Sequence, residues 1–275
     1  MLRQRLLVAL VLLPIGVISI IYGGWVFTAL IALILGLAAW EYSNIFRSGG
    51  HHPAAFIIIP GVLSLLLVRA CCGFDYDAPL LAFFILLTMG VHLVAYERGA
   101  NSSGVDFCIT LTGIVYLGLL GSYFPLLRGL PDGMWWTFTL LPAIWWADTG
   151  AYFIGKKYGV HRLAPRLSPK KSWEGYIAGI LFSLAGTPLL VLLYYRLGLS
   201  PDSAITLPRA ALLGLVLSAL PTLGDLGVSM IKRQFGVKDS GEILPGHGGF
   251  LDRTDSWLWG LVIGYYIITC FFLAG

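Results

Sequence analysis

The residues of this chain that could do chemistry crowd into one short stretch. The 275-residue chain is 57% hydrophobic and only 12% charged, yet the 27 residues from Ser229 to Asp255 hold Lys232, Arg233, Lys238, Asp239, Glu242, His247, Asp252, Arg253 and Asp255. Apolar sequence closes the stretch on both sides, and charge is too costly beside such sequence for stability alone to account for it. Asp225, Ser229, Lys232 and Arg233 fall at i, i+4, i+7 and i+8, which lines up a carboxylate, a hydroxyl and two cations along one stripe of a helix. Gly246, Gly248 and Gly249 surround His247 in a loop whose backbone can approach a ligand closely and turn its N–H groups inward. His247 itself reads equally well as a loop histidine that satisfies backbone groups. Asp252 and Asp255, with Arg253 between them, open the next helix, with Asp255 or Ser256 expected at its cap. Carboxylates on two neighbouring helices, with lysine and arginine around them, fit a magnesium–polyphosphate site. Hard oxygens would hold the ion and the cations would neutralise the remaining phosphate charge. The sequence shows no Walker A lysine loop, no nucleophilic Ser-His-Asp set and no metal-spaced cysteine pair. Catalysis at such a site would rest on positioning and electrostatics, as phosphoryl-type transfer allows.

A second, looser group lies upstream. Asp148 follows the Trp145-Trp146 pair near the end of an apolar segment and shares a helix face with Tyr152, four residues on. An aspartate in that position favours a functional reading over simple interface placement. Lys156-Lys157 and the basic segment HRLAPRLSPKKSWEG come next, with Pro169 and Ser172–Glu174 as helix-entry signals. On charge alone, Lys170 and Lys171 suit membrane anchoring and phosphate binding equally.

The elements that must position these groups are membrane helices. A mean hydropathy of +0.83 over 275 residues is more apolar sequence than a soluble domain of this size could hide. At about 20 residues per span, nine candidates fit: near Leu6–Tyr22, Trp25–Trp40, Ala54–Val68, Leu80–Tyr96, Phe107–Leu127, Met134–Ile154, Gly175–Tyr195, Leu207–Met230 and Trp257–Leu273. The expected fold is therefore all-α, a polytopic integral membrane protein with about nine transmembrane helices. It forms a single domain over residues 1–275, with apolar helices in 1–130 and the catalytic helices and loops in 131–275. With the N-terminus in the cytoplasm, fourteen of the eighteen Lys and Arg residues fall on the inner side, leaving Arg69, Arg128, Arg196 and Arg209 outside. That asymmetry places both polar loops in the cytoplasm. A pI near 8.9 with its basic residues on one membrane face points to anionic lipid heads and phosphorylated substrates rather than nucleic acid.

The remaining polar groups carry weaker expectations. The basic, apolar N-terminus imitates a signal peptide but lacks a small-x-small cleavage site, so a retained first helix is expected. Cys71, Cys72, Cys108 and Cys270 read as incidental. Glu41 reads as an interfacial carboxylate close to Arg47. His92, Glu97 and Arg98 read as interfacial anchors, and the glycines from Gly104 to Gly121 as sites of close helix packing.

The same residues carry a resemblance. Ser229, Lys232-Arg233, Lys238-Asp239, Leu244-Pro245, His247-Gly248-Gly249 and Asp252-Arg253 with Asp255 match the signature of the phosphatidate cytidylyltransferases, or CDP-diglyceride synthases. The segment from Ser168 to Gly175, SPKKSWEG, is similar to a second block of that family. With the Asp148 segment, these blocks cover most of the C-terminal half; the N-terminal half is similar only in being apolar and helical. The resemblance implies attack by the phosphate of phosphatidic acid on the α-phosphorus of CTP, giving CDP-diacylglycerol and pyrophosphate, with Mg2+ as cofactor. It implies Asp225 and Asp252 as metal ligands and, with Lys232 and Arg233, as the catalytic set. Ser168, Lys170, Lys171, Ser229, Lys238, Asp239, His247, Gly248, Gly249, Arg253, Asp255 and Asp148 would bind substrate. A site for soluble CTP and a lipid acceptor must open to both cytoplasm and bilayer, in the cytoplasmic (inner) membrane. The oligomeric state stays open, a homodimer among the options. Two other readings compete: a CTP-dependent polyprenol or lipid kinase, which would transfer the γ-phosphate, and an ion-coupled transporter. No inverted repeat supports the transporter.

Overall fold

The computed structural model describes residues 2–199, 205–243, 246 and 248–273, with side chains from residue 10 onward. Among the described residues eleven α-helices follow one another: α1 (Leu2–Tyr22), α2 (Gly24–Ser48), α3 (Ala55–Cys72), α4 (Asp77–Glu97), α5 (Ser103–Gly113), α6 (Tyr123–Gly129), α7 (Gly133–Tyr158), α8 (Trp173–Arg196), α9 (Leu207–Ala219), α10 (Thr222–Gln234) and α11 (Leu251–Ile267). A π-helical stretch, Ile114–Leu119, continues α5, and another, Ile268–Phe272, continues α11. Among the described residues, seven helical segments are long and apolar enough to cross a membrane: Gly24–Ser48, Ala55–Cys72, Asp77–Glu97, Ser103–Gly129, Trp173–Arg196, Leu207–Gln234 and Leu251–Phe272. The protein is thus a polytopic, nearly all-α membrane protein, and seven of the nine expected spans meet that standard. The other two fall on α1, whose qualifying part is the short Leu10–Tyr22, and on α7, which carries Asp148, Lys156 and Lys157.

The chain divides into two compact units, one of Met1–Leu126 with Ile231–Thr254, the other of Leu127–Met230 with Asp255–Gly275. In the first, Leu35, Ala38 and Tyr42 of α2 recur at helical spacing and are buried with Ile58, Val62, Leu65 and the π-helical Ile114 and Leu117. Glycines let these helices close up, as expected for Gly104 to Gly121. A Cβ at Gly113 would stand 2.7 Å from the Tyr42 ring, and one at Gly118 2.8 Å from Leu65. Gly121 faces Leu35 in the same way, whereas Gly104 has open space around it. Of the seven long apolar segments α4 is the least covered, with Leu86 73% exposed, as suits a lipid-facing surface. His92 is not the interfacial anchor expected: it is buried, with Nδ1 2.8 Å from the Thr88 carbonyl and Nε2 beside Thr110.

In the second unit, α7, α8 and α9 pack around Trp136, Leu140, Ile144, Val191, Leu213 and Leu217. Small residues again set the spacing, since a Cβ on Gly179 would lie 2.6 Å from the Ala147 carbonyl oxygen. The Ser183 hydroxyl donates to the Ala143 carbonyl at 2.8 Å, tying the same pair of helices. The basic segment before α8 is a short antiparallel hairpin rather than an open loop. Its strands are β1 (Arg162–Ala164) and β2 (Ser168–Ser172), with Arg162 opposite Ser172 and Ala164 opposite Ser168. Ser172 caps α8 by accepting from Gly175 N at 3.2 Å, as the entry signal predicts.

Candidate active site

Within the second unit, β2 and the helices beside it bring Lys170 and Lys171 to a pocket of about 710 Å³. Asp148, Lys156, Arg162 and Thr222 also line it. Asp148 and Tyr152 both face it, so the shared helix face read from their spacing is real. Lys171 reaches Asp225 in the first turn of α10, with Nζ 2.5 Å from Oδ2, and both side chains stay about a third exposed (29% and 32%). On the next turn the Ser229 hydroxyl donates to Asp225 Oδ1 at 3.3 Å, which is the expected i, i+4 stripe. Ser168 pairs with Ala164 and helps hold the hairpin that presents both lysines. Asp255 also belongs to this unit. It is 7% exposed, and its Oδ1 accepts from Ser256 N at 2.6 Å, so its side chain is packed in protein rather than displayed.

Within the first unit, the polar segment after α10 folds back on Asp252. Lys232 Nζ lies 2.5 Å from Asp252 Oδ1, with side chains 11% and 8% exposed. Asp252 Oδ2 accepts from Ser240 N at 2.8 Å and Gly249 N at 3.2 Å. The carboxylate thus ties both ends of the loop to one point. Gly248 turns the chain there with φ +82, and a Cβ at this position would stand 2.9 Å from Asp252 Oδ2. Arg233, Lys238, Asp239 and Arg253 are exposed around this centre. His247, Leu244 and Pro245 lie outside the described residues.

Two features differ from the sequence reading. The last helix, α11, begins at Leu251, so neither Asp255 nor Ser256 caps it. Glu41, read as an interfacial carboxylate, is completely buried. Its Oε1 accepts from Phe250 N at 3.0 Å, and its Oε2 from Leu251 N at 2.9 Å and Ser240 Oγ at 3.0 Å. A helix leaves its first N–H groups without intrahelical partners, and here a carboxylate some 200 residues away meets the start of α11. The one available signal was an acid standing in the apolar run of α2, whose partners are too distant in sequence for local reading.

Both carboxylates expected to hold magnesium carry an ammonium at 2.5 Å, so each sits where a positive charge is accommodated. Their oxygens are hard donors, and magnesium characteristically takes one or two carboxylates and completes its shell with phosphate and water. Among the described residues no three His, Cys, Asp or Glu side chains converge into an all-protein cage. Each carboxylate, taken within its own unit, is therefore a donor that fits a cation arriving with a phosphorylated substrate.

A family model described as the cytidylyltransferase family matches residues 3–271. A Pseudomonas aeruginosa phosphatidate cytidylyltransferase is 37% identical over 273 residues, covering 93% of each chain. The enzymes of that name from Bacillus subtilis and Synechocystis are 33% and 32% identical, covering 98% and 96% of each chain. Matched along nearly its whole length, this chain belongs to the cytidylyltransferase family.

Proposed function

We propose that the chain transfers the cytidylyl group of CTP to phosphatidic acid. A phosphate oxygen of phosphatidic acid bonds to the α-phosphorus, the bond from that phosphorus to the α–β bridging oxygen breaks, and pyrophosphate leaves with the electron pair. The products are CDP-diacylglycerol and pyrophosphate, and the enzyme is a nucleotidyltransferase of phospholipid biosynthesis. The observation that carries this reading is the pair of lysine–carboxylate contacts, Lys171–Asp225 and Lys232–Asp252, each beside further cationic side chains.

The side chains divide the work by charge. Lys170 and Lys171 on the hairpin, and Lys232, Arg233, Lys238 and Arg253 on the signature segment, bind and orient phosphate oxygens and offset the charge that builds at the leaving group. Gly248 and Gly249, with Asp239 and His247 of the same sequence segment, are assigned to substrate binding; Ser168, Ser229, Asp148 and Asp255 are assigned to it from the other unit. Asp225 and Asp252 are the groups we assign to Mg2+. When bound, the ion would supply Lewis-acid polarisation of the phosphoryl oxygens. Lys171 and Lys232, which neutralise these carboxylates in the structure, are then placed to turn toward phosphate.

The basic residues gather on the segments facing the cytoplasm in the inner membrane, where CTP is available and the lipid acceptor can enter sideways. A homodimer is consistent with this reading, and the mass of the detergent-solubilised protein by light scattering tests it. The reaction is tested with purified protein, labelled CTP, magnesium and phosphatidate. CDP-diacylglycerol with pyrophosphate is the expected outcome; a newly phosphorylated lipid with CDP would instead mark a kinase.

A further inference from the structure

Glu41 takes no part in the chemistry above, yet its position is expensive. A carboxylate with no solvent exposure costs free energy unless donors surround it, and among the described residues its three partners are two backbone N–H groups and one hydroxyl, none of them a cation. All three belong to the segment that carries the signature: Ser240 at one end of the loop, Phe250 and Leu251 at the other. Charge-assisted hydrogen bonds of this kind are about twice as strong as neutral ones, and a negative charge at the start of α11 also suits the helix dipole.

The contacts continue past the carboxylate. Ser240 Oγ donates to Glu41 and accepts from Asp252 N at 3.3 Å, while Ser240 N donates to Asp252 Oδ2 at 2.8 Å. One hydroxyl therefore separates Glu41 from Asp252, and Asp252 holds Lys232. The loop is also shaped around the carboxylate. A Cβ on Gly241 would stand 2.5 Å from Glu41 Oε1, and one on Gly249 would overlap Oε2 and Ser240 Oγ. Neither glycine has a positive φ, so close approach to Glu41 is what requires them.

We propose that Glu41 is a positioning residue for the transfer reaction. Through Ser240 and the first N–H groups of α11, it fixes the two described ends of the loop, Asp239–Ser240 and Gly249–Asp252, so that Asp252 and Lys232 stand in working geometry. The roles of Asp252 and Lys232 rest on the reaction proposed above; the clamp itself does not.

The test uses the full-length protein in detergent with Glu41→Gln, Ser240→Ala and the double variant. Three quantities are read: hydrogen exchange of the loop amides, melting temperature, and kcat with KM for CTP. Glu41→Gln keeps the shape but turns one acceptor into a donor facing donors. It should raise loop exchange about tenfold or more while α3 and α4 exchange as in the wild type. A catalytic group displaced by about 1 Å can cost a hundredfold in rate, so kcat should fall by about ten- to a hundredfold. KM for CTP should stay within about threefold, as expected where the lost interaction belongs to the transition state. Ser240→Ala should move the same quantities in the same direction, and the double variant should be no worse than Glu41→Gln, since both act through one network. Wild-type kcat and loop exchange in Glu41→Gln would overturn the proposal. So would losses that multiply in the double variant, or a rate loss that merely follows a fall in melting temperature. If Glu41→Gln does not fold, Ser240→Ala decides by itself, because it removes the relay and leaves the carboxylate in place. A wild-type protein that makes no CDP-diacylglycerol would overturn the reaction, and loop exchange would still decide the clamp.

Discussion

Asp225 and Asp252 each hold a lysine ammonium at 2.5 Å, but they differ in what else depends on them. Asp225 is about a third exposed and accepts otherwise from the Ser229 hydroxyl, so its surroundings can relax around a neutral amide. Asp252 is nearly buried, its second oxygen gathers Ser240 N and Gly249 N, and its loss leaves Lys232 a buried cation without a counter-charge. Asp225→Asn should therefore abolish synthesis with a melting temperature near that of the wild type. Asp252→Asn should abolish synthesis and also destabilise, because breaking a buried pair costs about 3–5 kcal/mol. Raised magnesium should rescue neither, as an amide oxygen is a poor ligand for a hard dication. Product formation and thermal unfolding in detergent, measured on both variants, check the contrast; equal stability would mean that Asp252 does not organise its loop. Lys170 offers a cleaner probe of phosphate binding, since it is exposed and lines the pocket. A charge-assisted contact is worth about 1.5–3 kcal/mol, so Lys170→Ala should lower kcat/KM by about ten- to a hundredfold. Unchanged kinetics would return this lysine to membrane anchoring.

At the scale of elements, the sequence was legible wherever the controlling interactions are local. Ser172 announces α8 and caps it, Asp225 and Ser229 pair across one helical turn, and seven of the nine apolar runs read as spans form long membrane helices. It was less legible where distant segments meet. The start of α11 is set by Glu41, and His92 is buried against Thr110, contacts that no window of neighbouring residues contains. The hairpin of β1 and β2 was missed for another reason: three- and five-residue strands rich in lysine, arginine and proline give no alternating pattern. Its lysines are presented by a frame that α7 and α8 support, and those helices approach through glycine. Gly179→Val would drive a branched side chain into the Ala147 carbonyl. Overpacking of this kind costs about 1–3 kcal/mol. The variant should melt earlier and lose affinity for CTP, because Gly179 also lines the pocket. Nucleotide titration beside a thermal scan separates the two effects, and a variant that matches the wild type in both would show that α7 and α8 do not depend on this contact.

For the whole molecule, charge decides which way the chain is threaded. Of its eighteen Lys and Arg residues, fourteen fall on one side if every apolar stretch crosses, and the four left over are Arg69, Arg128, Arg196 and Arg209. Arg69 is moreover drawn inward, 4% exposed and ion-paired with Asp77 at 2.5 Å, so it is poorly placed to act as a topogenic charge. Basic residues near span ends favour the cytoplasm, and a nucleotide-binding surface on the other face would never meet its substrate. The structure also selects where to look. Ser240 is buried, whereas Pro165 on the hairpin, Gln234 at the end of α10 and Leu199 after α8 are exposed. In a background with Cys71, Cys72, Cys108 and Cys270 replaced by serine, single cysteines at 165 and 234 should resist a membrane-impermeant maleimide in intact cells and react once the cells are opened. A cysteine at 199 should react from outside in both conditions. If 165 or 234 labels in intact cells, the polar segments face away from CTP and the proposed reaction loses its access. If 199 is protected along with them, α8 does not cross between the hairpin and residue 199, and the span count must be redrawn from α8 onward.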